Sequence, residues 1–173
     1  MKPSDREIAA QADPALGQHF LVSAQKLSQL VSAAGIRPTD DVLEVGAGIG
    51  TVARELPRSR SLTVIEFDSR LLGFLQQNVR HARVLHGDAL DLIGAISFDV
   101  LIGNLPHQVT ESLIEILPSL SFRTAVLSVG ESLDLDRLGR GFSWSEVTRT
   151  TGDDFLPPQS VVSRIVRIAP LRS

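Results

Sequence analysis

The sequence predicts an α/β fold: a mostly parallel, doubly wound sheet with an antiparallel edge. Three observations predict it. Short apolar runs alternate with stretches of helical periodicity between residues 41 and 130, the pattern of strand–helix–strand crossovers that lay strands parallel. The first run ends in a glycine loop and the next two end on acids, at the strand ends where such sheets bind ligands. The last two runs are β-branched and lack a long helix between them, so they fold back as an antiparallel edge.

The elements follow in order. Ala24, Leu27, Leu30, Val31 and Ala34 keep the spacing of one buried helix face, and Gly35 stops that helix. DVLEVGAG (41–48) is the first strand and LTVIEFD (62–68) the second. Leu71, Leu72, Leu75 and Val79 give the next helix face. RVLHGDA (83–89) and FDVLIGN (98–104) are the third and fourth strands. Val109, Leu113, Ile116 and Leu117 form a helix that Pro118 ends. TAVLSVG (124–130) is the fifth strand, and WSEVTRTT (144–151) and VVSRIVRIA (161–169) are the edge, joined by GDDFLPPQS. There is no internal repeat, and residues 1–173 are expected to form one domain.

Composition narrows the function. Of 173 residues, 43% are hydrophobic and 21% charged, the balance of a soluble globular chain with a real core. No apolar run reaches the roughly eighteen residues of a membrane span, and MKPSDREIAAQADP lacks the apolar stretch of a secretory leader. The absence of cysteine excludes disulfides, thiolate catalysis, cysteine-based zinc sites and iron–sulfur chemistry. A cytoplasmic location is expected, with no membrane partner and no metal. The net charge of −3 counts against a dedicated nucleic-acid binder. Arg54, Arg58 and Arg60, Arg80 and Arg83, and Arg137 and Arg140 read as solvated surface. His81 and His86 have no matched ligand partner, and Trp144 is expected to pack in the core or at an edge.

Chemistry gathers at the strand tips. Gly46, Gly48 and Gly50 alternate directly after Glu44. Glycines there allow a tight turn and close approach of backbone to a ligand. The spacing suits an S-adenosylmethionine loop better than the G-x-G-x-x-G of a dinucleotide site; the plain alternative is a strand–helix turn. Glu66, 20 residues after Gly46, is placed to accept both hydroxyls of an adenosine ribose. Nicotinamide enzymes use the same device, so Glu66 does not choose the cofactor. Asp68 suits the N-cap of the next helix. Asp88 can accept from the amino group of adenine, or can cap a helix.

The fourth strand delivers Asn104-Leu105-Pro106-His107. The lone pair of an aromatic amine is delocalised into its ring. Acceptance of its two N–H bonds by the Asn104 side chain and the Leu105 carbonyl favours a pyramidal nitrogen with its lone pair aimed at a methyl group. Pro106 fixes φ and stiffens the turn. At the next position an aromatic ring would stack on a base and support a sulfonium. His107 can stack over a smaller area, or serve as a general base near neutral pH.

With these motifs the chain resembles the ribosomal RNA adenine N6-dimethyltransferases, including the macrolide-resistance methylases. LGQHFL (16–21) is similar to that family's Gln-Asn-Phe-Leu segment, with His19 where Asn is common. VLEVGAGIGTVARELPRSRSLTVIEFD (42–68), GDAL (87–90) and GNLP (103–106) follow in order, and FLPPQSVVSRIVRI (155–168) resembles the Phe-x-Pro-Pro-x-x-Val-x-Ser segment. The resemblance implies a Rossmann-like seven-stranded methyltransferase fold, S-adenosyl-L-methionine as cofactor and ribosomal RNA as partner. It implies that Gln18, His19, Leu21, Gly46, Gly48, Glu66, Asp88, Ala89 and Asn104 line the cofactor pocket, with residues 1–22 contributing. Asn104, Leu105, Pro106 and His107 would hold the target amine.

Three departures bear on the substrate. His107 replaces the stacking aromatic, the stretch before Phe155 is short, and the chain ends at Ser173, ahead of the helical domain with which that family holds RNA. Two other readings therefore stand beside RNA adenine methylation. One is N- or O-methylation of a small-molecule acceptor with His107 as base. The other is a non-catalytic module that docks on RNA or a partner.

Overall fold

Segments that are buried along their whole length belong in the middle of a sheet covered on both faces. In the computed structural model, which describes residues 7, 9, 10 and 12–171, the strands β2 (Asp41–Val45), β3 (Ser61–Glu66), β4 (Arg83–His86), β5 (Val100–Gly103) and β6 (Thr124–Gly130) run parallel. Strands β9 (Ser163–Pro170) and β7 (Phe142–Thr150) run antiparallel, β7 at the edge, and the seven-stranded order is β4-β3-β2-β5-β6-β9-β7. The expectation for residues 1–6, 8 and 11 within the N-terminal segment lies outside the described residues.

Side chains alternate between the two faces of each strand. Leu43, Leu101, Ala125, Leu127 and Val166 enter one core, with Leu113 and Ile114 of helix α4 (His107–Ile116). Val42, Val64, Val100, Ile102, Val126 and Ile165 enter the other. They meet Leu27 and Leu30 of α1 (Ala24–Ala34) and Leu75 of α2 (Ser69–Asn78). Helices on both faces make the sheet doubly wound, as expected. Arg123 closes the base of the sheet, pairing with buried Asp40 at 2.5 Å and donating to the Gly35 carbonyl at 3.1 Å.

Three details differ from the expectation. The parallel strands end sooner, at Val45, Glu66, His86 and Gly103. Their expected tips leave the ladder, because Gly46 and Gly48 turn at φ +68° and +56° and Asp68 and Asp88 cap helices. Helix α3 (Ala89–Leu92) is the one that Asp88 could cap, but a single turn is too short to show periodicity, so its span is not legible in the sequence. The 152–160 connection is not only a loop. Its strand β8 (Phe155–Leu156) pairs antiparallel with β1 (Phe20–Leu21), tying the N-terminal segment across the sheet.

The topology fixes where a ligand goes. Strand β2 lies between β3, on one side, and β5, on the other. Chain connections leave this point in opposite directions, so a crevice opens above the carboxyl ends of β2 and β5. The β1–β8 strap lies beside it.

Candidate active site

A cleft of about 680 Å³ occupies that crevice. Gln18, His19, Gly46, Gly48, Glu66, Asp88, Ala89, Asn104, Leu105, Pro106 and His107 all line it. Leu21 does not, which corrects its assignment to the pocket. It is 1% exposed and packs into the core, while its neighbour Phe20 lines the cleft. Adjacent residues of a strand point to opposite faces.

The glycine loop is shaped by its neighbours. Gly46 turns under Leu105, and a Cβ at Gly46 would fall 2.3 Å from Leu105 Cδ2. A Cβ at Gly48 would fall 2.7 Å from the Phe20 ring. Glu66 clasps this loop: Gly48 N donates to its Oε2 at 2.6 Å and Asp68 N to its Oε1 at 2.7 Å. Each oxygen keeps a lone pair for a hydroxyl. Burial raises the affinity of Glu66 for its proton, opposed by those backbone bonds. Asp68 caps α2 and is held down at about 2, first by Arg70, against which burial works, and then by Gln18, which donates to it at 2.8 Å.

Asp88 is a helix cap that also lines the cleft. Its Oδ1 accepts from Leu90 N at 2.8 Å, capping α3, and its exposed side chain remains on the cleft wall.

The Asn104 turn is built by what precedes and follows it. Buried β5 ends at Gly103, and Pro106 stands at the N-cap of α4 with φ −52°. Thr110 N closes the first helical bond to the Pro106 carbonyl at 3.0 Å. Asn104 Nδ2 donates to the His19 carbonyl at 3.2 Å. The Leu105 carbonyl receives only a long contact from the Thr110 hydroxyl at 3.4 Å. His107 opens α4 with its Nε2 2.9 Å from Ser163 Oγ. The ring is anchored to the sheet edge rather than laid loose over the cleft.

Two groups escaped sequence reasoning. Glu44 faces the cleft from the buried end of β2, 2% exposed, with Oε2 lacking any partner among the described residues. Burial, reinforced by the charge of Glu66, pushes its carboxyl up to about 8. An acid before the glycines was visible, but its isolation was not. Phe67 is 59% exposed on the cleft rim, an uncovered aromatic face beside Glu66. The other expected bystanders stay apart from the cleft. His86 Nε2 donates to the Phe67 carbonyl at 3.1 Å, and Trp144 sits on the edge strand under the Arg164 guanidinium, 5.7 Å from its ring centre. Among the described residues no group of His, Asp and Glu could hold a metal ion, and no helix is long and apolar enough to cross a membrane.

Residues 9–143 match the family model described as ribosomal RNA adenine dimethylase. The chain is 30% identical to a ribosomal RNA small subunit methyltransferase A of Dehalococcoides mccartyi, over 89% of this chain and 61% of that protein. It is 32% identical to a probable dimethyladenosine transferase of Dictyostelium discoideum, over 92% of this chain and 58% of that one. The chain thus spans about three-fifths of the length of these relatives. A dimethyladenosine transferase from Plasmodium falciparum superposes with a TM-score of 0.79 at 26% identity, covering 88% of this chain and 64% of that one.

Proposed function

The chain belongs to the ribosomal RNA adenine dimethylase family, and from that premise we propose that it is an S-adenosylmethionine-dependent methyltransferase acting on the N6 amino group of an adenine in ribosomal RNA. The observation that carries this reading is the Asn104 amide. Its nitrogen is committed to the His19 carbonyl, which leaves Oδ1 and the nearby Leu105 carbonyl as an acceptor pair for the two hydrogens of an amine.

The cleft fits the cofactor on observations independent of that pair. Glu66 keeps lone pairs toward ribose hydroxyls, Phe67 offers a flat apolar face to adenine, and Asp88 offers an acceptor to its amino group. The unpartnered Glu44 carboxyl, buried at the far end, suits a ligand that brings positive charge. When bound, the cofactor supplies an electrophilic methyl group on a sulfonium. The protein's part is orientation and exclusion of water, with the Asn104 and Leu105 oxygens turning the lone pair of the amine toward the methyl.

A second reading rests on a second cleft of about 560 Å³ beyond His107, which Glu111, Glu131 and Asp134 line with Arg137. Carboxylates at that position disfavour a phosphate backbone and favour a small neutral or cationic acceptor. Tritium transfer from labelled S-adenosylmethionine into total RNA, against a metabolite extract, separates the two. The RNA reading expects label in RNA that disappears with Asn104→Ala. Label confined to metabolites overturns it, and label in neither removes both.

A further inference from the structure

We propose that Ser163 and Gln159 are positioning residues that fix the tautomer of His107, so that its Nδ1–H stands as a hydrogen-bond donor at the passage between the cofactor cleft and the second cleft. Ser163 is 1% exposed at the start of β9, paired with Gly130 of β6 and Thr150 of β7. Its Oγ accepts from Gln159 Nε2 at 3.1 Å and lies 2.9 Å from His107 Nε2. A serine hydroxyl carries one hydrogen. Among the described residues Ser163 Oγ makes no hydrogen bond beyond those to Gln159 and His107, so donation to Nε2 is the arrangement that uses its hydrogen. The chain therefore runs from Gln159 to Ser163 to His107. Nε2 receives, and the neutral imidazole keeps its own hydrogen on Nδ1.

Nδ1 is left open. It makes no hydrogen bond among the described residues, and the residue beneath it is Gly130, where even a Cβ would lie 3.5 Å away. His107 and Val161 line both the cofactor cleft and the second cleft, so this ring stands at the passage between them. It can donate through Nδ1 to a lone pair.

That selects the acceptor, and this step rests on the adenine reading above. The carbon bearing the adenine amino group lies between two ring regions that each carry a lone-pair nitrogen, N1 and N7. An aliphatic amine offers no such neighbour. His107 then determines specificity through a hydrogen bond, where a stacking aromatic would rely on area.

Long-range proton–nitrogen correlation spectra of the full 15N-labelled chain test the tautomer without any turnover, with His107 assigned by its loss in His107→Gln. The Nδ1–H form is expected in the wild type. Ser163→Ala and Gln159→Leu should shift it toward Nε2–H, and Ser163→Thr should restore it. Gln159→Leu, at a half-buried position, keeps the test alive if Ser163→Ala fails to fold. An Nε2–H ring in the wild type, or an unchanged tautomer in a folded Ser163→Ala or Gln159→Leu protein, overturns the proposal.

Methyl transfer to an oligoribonucleotide with a single adenosine, its 1-deaza analogue and its 7-deaza analogue tests the donor. One analogue should lose about tenfold in kcat/KM, the scale of one hydrogen bond, and Ser163→Ala should erase that difference. Equal transfer to all three overturns the selective role. No transfer to any of them, with the Nδ1–H tautomer present, overturns the adenine reading and upholds the Gln159–Ser163–His107 chain.

Discussion

The Asn104 side chain is oriented by the backbone of His19, whose carbonyl accepts from Asn104 Nδ2 at 3.2 Å. The His19 ring is itself tied through Nδ1 to the Pro157 carbonyl at 2.9 Å. A carbonyl only accepts, so Nδ1 of His19 carries the hydrogen. The amide thus takes its direction from two segments far apart in sequence, the N-terminal strap and the Pro-rich connection. Its oxygen, with no donor among the described residues, is the end presented to the cleft.

Replacing Asn104 with Ala removes that oxygen. A preorganised polar group aimed at the reacting centre is worth about 10²- to 10³-fold in kcat, and a loss on that scale is expected. Affinity for S-adenosylmethionine, read by calorimetry, should change less than tenfold. Asn104→Asp is expected to fare no better, since a carboxylate cannot donate to His19. Wild-type turnover in either variant would remove Asn104 from the mechanism.

Gly46 cannot carry a side chain under Leu105. Its φ of +68° already disfavours an L-residue, and the added carbon would lie 2.3 Å from Leu105 Cδ2. Left-handed strain costs about 1–2 kcal/mol and overpacking about 1–3 kcal/mol. Gly46→Ala should lower the Tm by roughly 5–15 °C on the usual scaling for a domain of this size. It should also impair methyl transfer beyond what the loss of folded protein explains, because the displaced Leu105 carries one of the two acceptor oxygens. Retention of both Tm and rate would show that the loop has room the structure lacks.

Phe20 joins the strap to the glycine loop. It is 7% exposed, and its ring closes on Gly48. Phe20→Ala leaves a cavity at the edge of the cleft and should cost about 3 kcal/mol or somewhat less where the strap can collapse. Hydrogen exchange should rise selectively at residues 18–22 and 155–156, in and beside the paired strands, while the central sheet keeps its protection. Uniform acceleration over the whole chain would mean that the strap is part of the global folding unit.

The sequence made the strand tips legible because each carries its own local signal. Alternating glycines at 46, 48 and 50, acids at 66 and 88, and Asn-Leu-Pro at 104–106 all end apolar runs. A parallel sheet turns such ends toward one crevice. What stayed hidden depends on long-range contacts without periodicity. The β1–β8 pairing joins two-residue strands, Phe20–Leu21 and Phe155–Leu156, too short to announce themselves. The resemblance carries Leu21 to the pocket by position, and strand parity, which turns Phe20 there instead, cannot be set from two residues. The partner of His107, Ser163, lies 56 positions away. The need of Glu44 for a partner emerges only once packing has shut out water.

Glu44 also gives the chain a pH signature. Burial lifts its carboxyl from 4.5 to about 8, with the Glu66 charge adding to the effect. Between those values the folded chain holds a proton that the unfolded chain has released, so stability is full below about pH 4.5 and falls as pH rises through 8. Each unit is worth roughly 1.4 kcal/mol, making the total a few kcal/mol. Glu66 is shifted in the same direction by burial and contributes a slope of the same sign. Glu44→Gln should therefore melt near the wild type at pH 5, melt above it at pH 8.5, and show a flatter curve between. A cationic ligand that pairs with Glu44 must expel its proton. Titration of S-adenosylmethionine at pH 7, in buffers of different ionisation enthalpy, should show close to one proton released by the wild type and none by Glu44→Gln. Equal release from both proteins would separate Glu44 from the cofactor. A wild-type Tm that does not fall between pH 5 and 8.5 would show that its carboxyl is not isolated from solvent.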